Sequence, residues 1–273
     1  MISGLLRKSV ALVPWRWRGA VKKIPIVAAG QRWLLARFLE GREFVHTVDA
    51  GPARGLKYPI TLPDDKGIWT GTYEVELATA IAAAVRTGDV CFDCGGWRGF
   101  FSGVMALRGA AKVFAFEPLP SNVVQLRKML ALNPSLPITL IEAAVTEQPG
   151  ELEFVVMPET SMGKLSTSSF QADNQSGQKI RVRAVSLDAL LAAGEVSPPA
   201  LMKVDVEGAE LMLLRGAKNL LATHRPKLFM EIHSRELARD CRAFLEPLGY
   251  EIGVVGADRD VCHFYASPKT ERA

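Results

Sequence analysis

Five short apolar runs, each ending in or beside a carboxylate, constrain the fold of this chain more than any other feature. The runs read VCFD, KVFAFE, ITLIE, LMKVD and LFMEIH, and a helical or polar segment follows each of them. Each run is long enough for a buried strand, and strands that alternate with helices are typical of a parallel sheet. The sequence therefore predicts an α/β fold with a doubly wound, mostly parallel sheet.

The carboxylates at the ends of these runs predict where a ligand binds. They are Asp93, Glu117, Glu142, Asp205 and Glu231. In an open parallel sheet the carboxyl ends of the strands lie along one edge, and ligands bind there at the point where the strand order reverses. Any single acid at such a place is most simply a solvated loop residue. Five in succession favour a cationic or hydroxyl-rich ligand.

A glycine-rich turn follows the first run. Asp93 leads into Gly95, Gly96 and Gly99, which permit a tight turn, close approach of a ligand and a close helix start. Glu117 stands 22 residues after Gly95, where a carboxylate can bind both hydroxyls of a ribose. The glycines read G-G-x-x-G and not the G-x-G-x-x-G of dinucleotide-binding folds. These elements indicate a nucleoside-containing cofactor and leave open a nicotinamide dinucleotide or S-adenosylmethionine.

The cysteines point to a reducing compartment. Four cysteines in 273 residues do not make the dense framework of a small secreted domain. Cys91 and Cys94 form a C-x-x-C, but residues three apart on a strand point to opposite faces, so we expect the pair to be incidental. No apolar run approaches the roughly 20 residues that span a bilayer. These features predict a cytoplasmic protein.

The net charge of +4 hides an asymmetry between the two ends of the chain. Residues 1–57 hold 11 Lys/Arg against 3 Asp/Glu, which leaves −4 on the remainder. That remainder argues against nucleic-acid binding. Residues 1–39 contain no acid and interleave tryptophans with basic residues, so they favour either a solvated or packed extension or a peripheral contact with an anionic membrane. We assign residues 1–71 to a basic N-terminal extension.

The central part of the chain resembles the FkbM-type, S-adenosylmethionine-dependent methyltransferases. The resemblance is carried, in order, by GDVCFDCGGWRGFFSGV, VFAFEPLPSNVVQLRKML, AAVTEQPGELEF, VRAVSLDALL and LMKVDVEGAELMLLRGAKNLL. It implies a Rossmann-like, seven-stranded sheet with an antiparallel last strand over residues 72–267, and a tail at 268–273. It also implies methyl transfer to a hydroxyl of a small molecule, a sugar or a polyketide-type acceptor.

The resemblance further implies roles for individual residues. The turn from Asp93 to Gly99 would hold the methionine end of the cofactor, Glu117 the ribose, and Glu142 and Ala143 the adenine. Pro118 would also contact the cofactor. Glu74 precedes these motifs and is either a first-turn charge or a contact to the cofactor. The family's turn usually reads D-x-G-A-N-x-G, whereas here Gly96 and Trp97 occupy the Ala and Asn positions, and Trp97 could supply packing or a cation–π face toward a sulfonium.

A hydroxyl acceptor needs a base, and the fourth and fifth runs supply the candidates. His233 follows the fifth run and titrates near neutrality, and Asp205 is its main rival or orienting partner. Glu207 lies on the substrate side, while Glu210 is best read as a first-turn charge. Asp205, Glu207 and His233 are also a minority candidate for a divalent metal, although we predict none. Lys203 lies in the strand and could either neutralise this acidic edge or extend toward solvent, and its role stays open.

Two further features complete the prediction. GELEFVVM and KIRVRAV indicate a strand pair within an insertion at about residues 144–186, and the serine-rich segment between them suggests a lid or acceptor-recognition loop. YEIGVVGADRDVCHFYAS reads as two strands around a polar turn. A nicotinamide-dependent oxidoreductase and a cofactor-binding module without catalysis remain as alternatives to the methyltransferase.

Overall fold

The computed structural model describes residues 43–156, 163–165, 178–255 and 262–269. Its strands are β1 (Glu43–Thr47), β2 (Lys57–Thr61), β3 (Val90–Cys94), β4 (Lys112–Phe116), β5 (Ile138–Ile141), β6 (Ala144–Val145), β7 (Gly150–Val156), β8 (Gly163–Leu165), β9 (Gln178–Val185), β10 (Leu201–Val204), β11 (Lys227–Ile232), β12 (Tyr250–Val255) and β13 (Cys262–Pro268). Its helices are α1 (Lys66–Trp69), α2 (Val75–Ala84), α3 (Phe100–Leu107), α4 (Pro120–Leu132), α5 (Leu187–Ala192), α6 (Glu210–Gly216), α7 (Lys218–His224) and α8 (Arg235–Leu245). The membrane contact predicted for residues 1–39 lies outside the described residues.

The seven-stranded sheet confirms the predicted α/β fold. All five apolar runs form strands, and the order across the sheet is β12-β13-β11-β10-β3-β4-β5. Only β13 runs antiparallel to its neighbours in this sheet, as the resemblance implies. The order reverses at β3, because the chain proceeds outward through β4 and β5 and then returns to β10. The carboxyl end of β3 is therefore the place where this Rossmann-like sheet leaves a ligand-binding crevice.

Helices cover both faces of the sheet and fix the positions of the strand ends. Phe92, Met202 and Met230 of three adjacent strands are buried in one core, while Cys91 and Phe229 are buried in the core on the opposite face. Each strand is thus apolar on both sides, as expected of a parallel sheet enclosed by helices. The acids at its carboxyl edge are polar groups held at the rim of two hydrophobic cores.

A hairpin that the sequence did not predict packs beside the sheet. β1 and β2 pair antiparallel within the stretch assigned to the N-terminal extension. Leu56, Tyr58, Ile60 and Ile68 are fully buried in the core that also contains Ile81. The part of the predicted extension that the structure describes, residues 43–71, is therefore integrated into the folded body. No break in packing separates it from residue 72 onward.

A second sheet carries the predicted insertion. β7 and β9 pair antiparallel from Gly150↔Ala184 to Val156↔Gln178, which is the strand pair read from the sequence. The structure adds β6, parallel to β9, and β8, antiparallel to β7, in the order β6-β9-β7-β8. The loop predicted to act as a lid lies outside the described residues, apart from Gly163–Leu165.

The structure tests the expectation that the cysteine pair is incidental. Cys91 and Cys94 are both buried and free, and they belong to the cores on opposite faces of the sheet. Because the side chains diverge, the C-x-x-C is incidental here.

Among the described residues, no helix combines the length and apolarity that crossing a bilayer requires.

Candidate active site

A cavity of about 300 Å³ opens at the carboxyl edge of the seven-stranded sheet. Its walls come from the turn after β3 and from the segments that follow β4, β5 and β10. Eight residues predicted from the sequence line it: Glu74, Gly95, Gly96, Glu117, Pro118, Ala143, Asp205 and Glu207. Four other predicted residues do not line it: Asp93, Gly99, Glu142 and His233.

The glycine turn lies on the floor of the cavity. The amides of Gly95 and Gly96 both donate to the carbonyl of Phe116, at 3.0 and 2.8 Å. Gly95 adopts φ 82°, and a Cβ there would lie 1.7 Å from the carbonyl oxygen of Asp205. Only glycine lets β3 and β10 approach so closely at this point. Gly99 serves packing, since a Cβ on it would lie 2.3 Å from the side chain of Met129.

The buried carboxylate of Glu117 forms another part of the cavity wall. Its Oε2 accepts the amide of Trp97 at 2.8 Å, and its Oε1 accepts the amide of Leu119 at 2.9 Å and the side chain of Asn122 at 3.3 Å. A carboxylate has about four lone-pair positions, so one remains for a ligand. Burial raises the pKa of Glu117 to about 7, against these three hydrogen bonds.

Glu142 is not part of this wall. Its carboxylate forms an exposed ion pair with Arg127 of α4. The physical reason is its position, because β5 is the edge strand of the sheet and its end faces solvent. Of the two residues expected near an adenine, only the neighbouring Ala143, which is fully buried, lines the cavity.

Lys203 ties the ends of β3 and β10 together beneath the cavity. Its ammonium donates to the carbonyl of Gly95 at 2.9 Å and to Asp205 at 3.1 Å, and it lies 3.7 Å from Asp93. Asp93 itself is fully buried and accepts the hydroxyl of Ser102 at 2.5 Å. Burial alone would lower the pKa of Lys203, but Asp205 and Asp93 raise it well above its usual value. Asp93 therefore acts through Lys203 and not by touching the cavity.

An aromatic wall closes one side of the cavity. Tyr73 stacks on Trp97 with ring centroids 5.5 Å apart and meets Phe100 edge-on at 5.0 Å. The cation that the structure brings to the indole is Arg98, whose guanidinium carbon lies 5.0 Å from the ring centroid. Arg98 is held in turn by Asp65 at 2.9 Å. The segment after β2 thus supports the glycine turn.

Backbone strain is concentrated at the cavity. Among the described residues, four non-glycine residues have positive φ, and three of them line the cavity: Glu74 at 38°, Trp97 at 47° and Glu207 at 51°. A left-handed conformation costs a side-chain-bearing residue about 1–2 kcal/mol. Such strain persists where the surroundings impose it, and it clusters at functional sites.

His233 lies at the centre of a cluster of carboxylates at the end of β11. Its Nδ1 lies 2.9 Å from Glu210, and its Nε2 lies 3.3 Å from Glu207, 3.7 Å from Asp205 and 3.9 Å from Glu231. Glu210 is completely buried, whereas Glu207 and Asp205 reach the cavity. The imidazole therefore sits behind the cavity wall, with one nitrogen fixed by Glu210 and the other directed toward the carboxylates in front.

The protonation of this cluster differs from what the sequence suggests. Burial alone would lower the pKa of His233, but the hydrogen bond and charge of Glu210, with the charges of Asp205 and Glu207, raise it to about 9. Burial raises the pKa of Glu207 to about 7, assisted by Asp205 and opposed by His233. Burial would also raise the pKa of Asp205, but Lys203 and His233 hold it below its usual value. Near neutrality His233 is an imidazolium.

Two groups of side chains bring potential metal-ligand atoms within 4.8 Å of one another. They are Glu74, Glu231 and His263, and Asp205, Glu231 and His233. Protein cations lie close to two of the three carboxylates, Glu231 and Asp205. His263 lies 3.4 Å from Glu231, and Lys203 and His233 face Asp205. The absence of a metal at these residues stays a prediction.

Sequence reasoning missed several residues that shape the site and left the role of Lys203 open. The position of Lys203 could have predicted its ion pairs, because a lysine inside an apolar strand must find acidic partners if it is buried. Tyr73 and Asn122 gave no such signal, since their roles depend on neighbours distant in sequence. Glu231 was recognised only as a strand-end acid, and the structure places it on the cavity wall.

The comparisons with known proteins agree with one another. Residues 93–252 match the family model described as a methyltransferase FkbM domain. The hexuronic acid methyltransferase AglP of Haloferax volcanii is 30% identical over 191 residues, which cover 68% of this chain and 74% of that relative.

Two solved structures show a weaker likeness. The methyltransferase FkbM from Methylobacillus flagellatus is 17% identical with a TM-score of 0.48, and the match covers 73% of this chain and 52% of that one. This chain thus spans about half the length of that protein. A precorrin-6y C5,15-methyltransferase from Geobacter metallireducens is 14% identical with a TM-score of 0.45, over 72% of this chain and 89% of that one.

Proposed function

Because the chain belongs to the FkbM methyltransferase family, we propose that it transfers a methyl group from S-adenosylmethionine to a hydroxyl oxygen of a sugar or another small molecule. The observation that carries the proposal is the cavity at the strand-order reversal, with a glycine turn on its floor and the Glu117 carboxylate on its wall. The family match lends no support to the nicotinamide alternative.

The residues present fit this cofactor. The remaining lone-pair position of Glu117 suits a ribose hydroxyl, and the apolar surfaces of Pro118, Leu119 and Ala143 suit an adenine ring. Gly95 and Gly96 expose backbone on the cavity floor, where the amino-acid end of the cofactor would lie beside Glu74. The cofactor supplies an electrophilic methyl group on a sulfonium.

The chain's own residues position the reactants and exclude water. Methyl transfer to oxygen is a displacement that needs little covalent assistance, so alignment of donor and acceptor in a dry site supplies most of the rate. Tyr73, Trp97 and Phe101 provide the apolar wall. The end of β10 lies two strands from the end of β4, roughly 10 Å at usual strand spacing. Glu207 and Asp205 therefore face the acceptor side, away from Glu117.

The charge of the cavity favours a hydroxyl acceptor. Glu74, Asp205, Glu207 and Glu231 all line it, with Lys203 as the partly compensating cation. A free carboxylate at the acceptor position, beside Asp205 and Glu207, would be repelled by these acids, whereas a hydroxyl there can donate to them. The hexuronic acid in the name of the Haloferax relative has both groups, so for a substrate of that kind we propose a ring hydroxyl as the acceptor.

Isothermal titration tests the cofactor. We expect S-adenosylmethionine and its demethylated product to bind. Glu117→Ala should weaken that binding by about 10–100-fold, the effect of losing a hydrogen bond to a charged group. Glu142→Ala is the matched control, because this strand-end glutamate lies outside the cavity and should leave affinity unchanged. Binding of NADH without S-adenosylmethionine would reject the proposal.

Product analysis tests the acceptor. The wild-type protein is incubated with S-adenosylmethionine and either p-nitrophenyl β-D-glucuronide or p-nitrophenyl β-D-glucoside, and the products are treated with alkali before mass spectrometry. An alkali-stable methyl ether supports a hydroxyl acceptor. An alkali-labile methyl ester on the glucuronide contradicts it, and no methylation of either compound rejects a pyranoside acceptor.

A further inference from the structure

We infer that Glu207 is the catalytic base that takes the proton from the acceptor hydroxyl, and that His233 is a positioning residue that holds the Glu207 carboxylate in place. The inference rests on the proposed function and names residues that carry its chemistry. It differs from the sequence-based expectation, which gave the role of base to His233 or to Asp205.

Access to the cavity separates Glu207 from His233. Glu207 lines the cavity, whereas the His233 side chain is 4% exposed and lies behind the wall. The Nε2 of His233 is 3.3 Å from Oε2 of Glu207, and its other nitrogen is bound by the fully buried Glu210 at 2.9 Å. A base must reach the proton that it removes. Glu207 meets this condition, whereas His233 does not line the cavity and has Glu207 as the nearest carboxylate to its Nε2.

The other carboxylates of the cavity are engaged elsewhere. Asp205 accepts the ammonium of Lys203 at 3.1 Å, and Glu231 lies 3.4 Å from His263. Glu74 is hydrogen-bonded to the hydroxyl of its neighbour Tyr73. The Glu207 carboxylate faces the imidazolium of His233, with its Oε2 3.3 Å from Nε2.

The protonation states support this assignment. A base works best when its pKa lies near the working pH, and that of Glu207 is about 7. Asp205 has a lowered pKa and is a weaker base, and His233, with a pKa of about 9, already holds its proton. The groups that face Glu207 are Asp205 at the end of β10, Glu210 of α6, and Glu231 and His233 at the end of β11.

The backbone also aims Glu207 at the cavity. Its φ of 51° places it in the left-handed region, where glutamate is strained and where the adjacent Gly208 has φ 90°. This turn connects the end of β10 to α6. The strain is consistent with a side chain that is held in a required direction at a local energetic cost.

The proton balance of the step follows from these roles. A lone pair of the acceptor oxygen forms the new O–C bond as the C–S bond of the sulfonium donor breaks, and the electron pair of the broken bond remains on sulfur. The acceptor O–H proton passes to the Glu207 carboxylate. The products are a methyl ether, a neutral thioether and a neutral carboxylic acid, which then returns its proton to water.

The test compares Glu207→Gln with His233→Gln, using p-nitrophenyl β-D-glucoside as acceptor and release of the demethylated cofactor as readout. Glu207→Gln should bind S-adenosylmethionine normally by calorimetry and lose turnover by ~10²–10⁴-fold. We expect kcat/KM of the wild-type protein to rise through a pH of about 7, and Glu207→Gln should lose that rise. His233→Gln should retain that rise, moved to higher pH, because the imidazolium holds the pKa of Glu207 down.

A measurement that does not depend on turnover and a matched control variant complete the experiment. In Glu207→Gln the nitrogen-15 NMR titration of the His233 ring should move to lower pH, since the Glu207 charge helps to raise that pKa. Glu147→Gln removes an exposed glutamate paired with Arg215 and should change nothing.

The outcomes separate this inference from the proposed function. Near-normal turnover of Glu207→Gln overturns the assignment of the base while leaving the methyltransferase intact. Complete loss of turnover in His233→Gln, or a pH profile of that variant that is not shifted, does the same. Cofactor binding without any transfer by the wild-type protein overturns both.

Discussion

Gly95 and Gly96 are neighbours in the turn after β3, but the surrounding backbone requires glycine only at the first of them. A Cβ at position 95 would meet the carbonyl oxygen of Asp205, whereas a Cβ at position 96 would make ordinary contacts with Leu126 and Ala115 at 3.4 and 3.5 Å. We expect Gly95→Ala to lower the free energy of unfolding by at least ~2 kcal/mol. Gly96→Ala should stay within about 0.5 kcal/mol of the parent.

Urea denaturation of both variants checks this prediction. Gly96→Ala is the matched control. Equal stability of the two variants would contradict the close approach of β3 and β10 that the structure shows.

For single residues, the sequence predicts the position in the fold better than the protonation state or the hydrogen-bond partners. Asp205 and Glu117 were found because a strand and the acid that ends it are local in the sequence. The charge on His233 was not found, because it depends on Glu210 across the β11–α6 contact. The bond from Lys203 to Gly95 likewise depends on the register of β10 against β3, which no local pattern encodes.

The β1–β2 hairpin offers a test of its integration into the fold. Ile60 is fully buried beside the sheet, whereas Val45 on the paired strand is 55% exposed. Ile60→Ala should lower the free energy of unfolding by about 2–5 kcal/mol, because it leaves a cavity in the core. Val45→Ala should change it by less than about 0.5 kcal/mol.

Thermal and urea unfolding of the two variants would check this expectation, with Val45→Ala as the control for a change in the same hairpin. A small effect of Ile60→Ala would contradict the packing of this hairpin into the core. The sequence left open a solvated or a packed extension and did not predict this hairpin, because the apolar strand KYPIT begins at Lys57, within the basic stretch.

The inserted sheet shows the same limit on element prediction. β7 and β9 are seven and eight residues long, and their apolar alternation and turn signals are visible in the sequence. β6 has two residues and β8 has three. These are too few for an alternating apolar pattern to be detected. Their existence depends on the neighbouring strands, which provide the backbone partners.

Across the whole molecule, buried titratable groups link folding to pH. Burial raises the pKa values of Glu117 and Glu207 from 4.5 to about 7, and the cluster around His233 raises its pKa from 6.5 to about 9. In each case the folded state binds protons more tightly than the unfolded state. Stability from these groups is therefore greatest at low pH, falls through the two carboxyl titrations and falls again through that of His233.

We expect the free energy of unfolding to decrease as the pH rises from about 4.5 to about 9. Urea titrations at a series of pH values measure it. Glu207→Gln, which cannot ionise at this position, should give a shallower decline below a pH of about 7. A stability that rises with pH over this interval would show that these groups are not held as the structure has them.

The assembled cavity is the part that the sequence could least foresee. The five strand-end acids were expected to share one edge, and the sheet confirms that edge. Which of them face the same space depends on strand order and on the turn after each strand. Glu142 is at the end of an outer strand and pairs with Arg127 in solvent, while Glu231, in an inner strand, reaches the cavity.

The left-handed backbone at Glu74, Trp97 and Glu207 has a consequence for the evolution of this chain. Glycine at any of these positions would relieve local strain, so a library selected only for heat resistance would be enriched in it. The same changes would remove a carboxylate or an aromatic ring from the cavity. Selection for stability and selection for the proposed activity therefore act in opposite directions at these three positions. The residues present are those that selection for activity would keep.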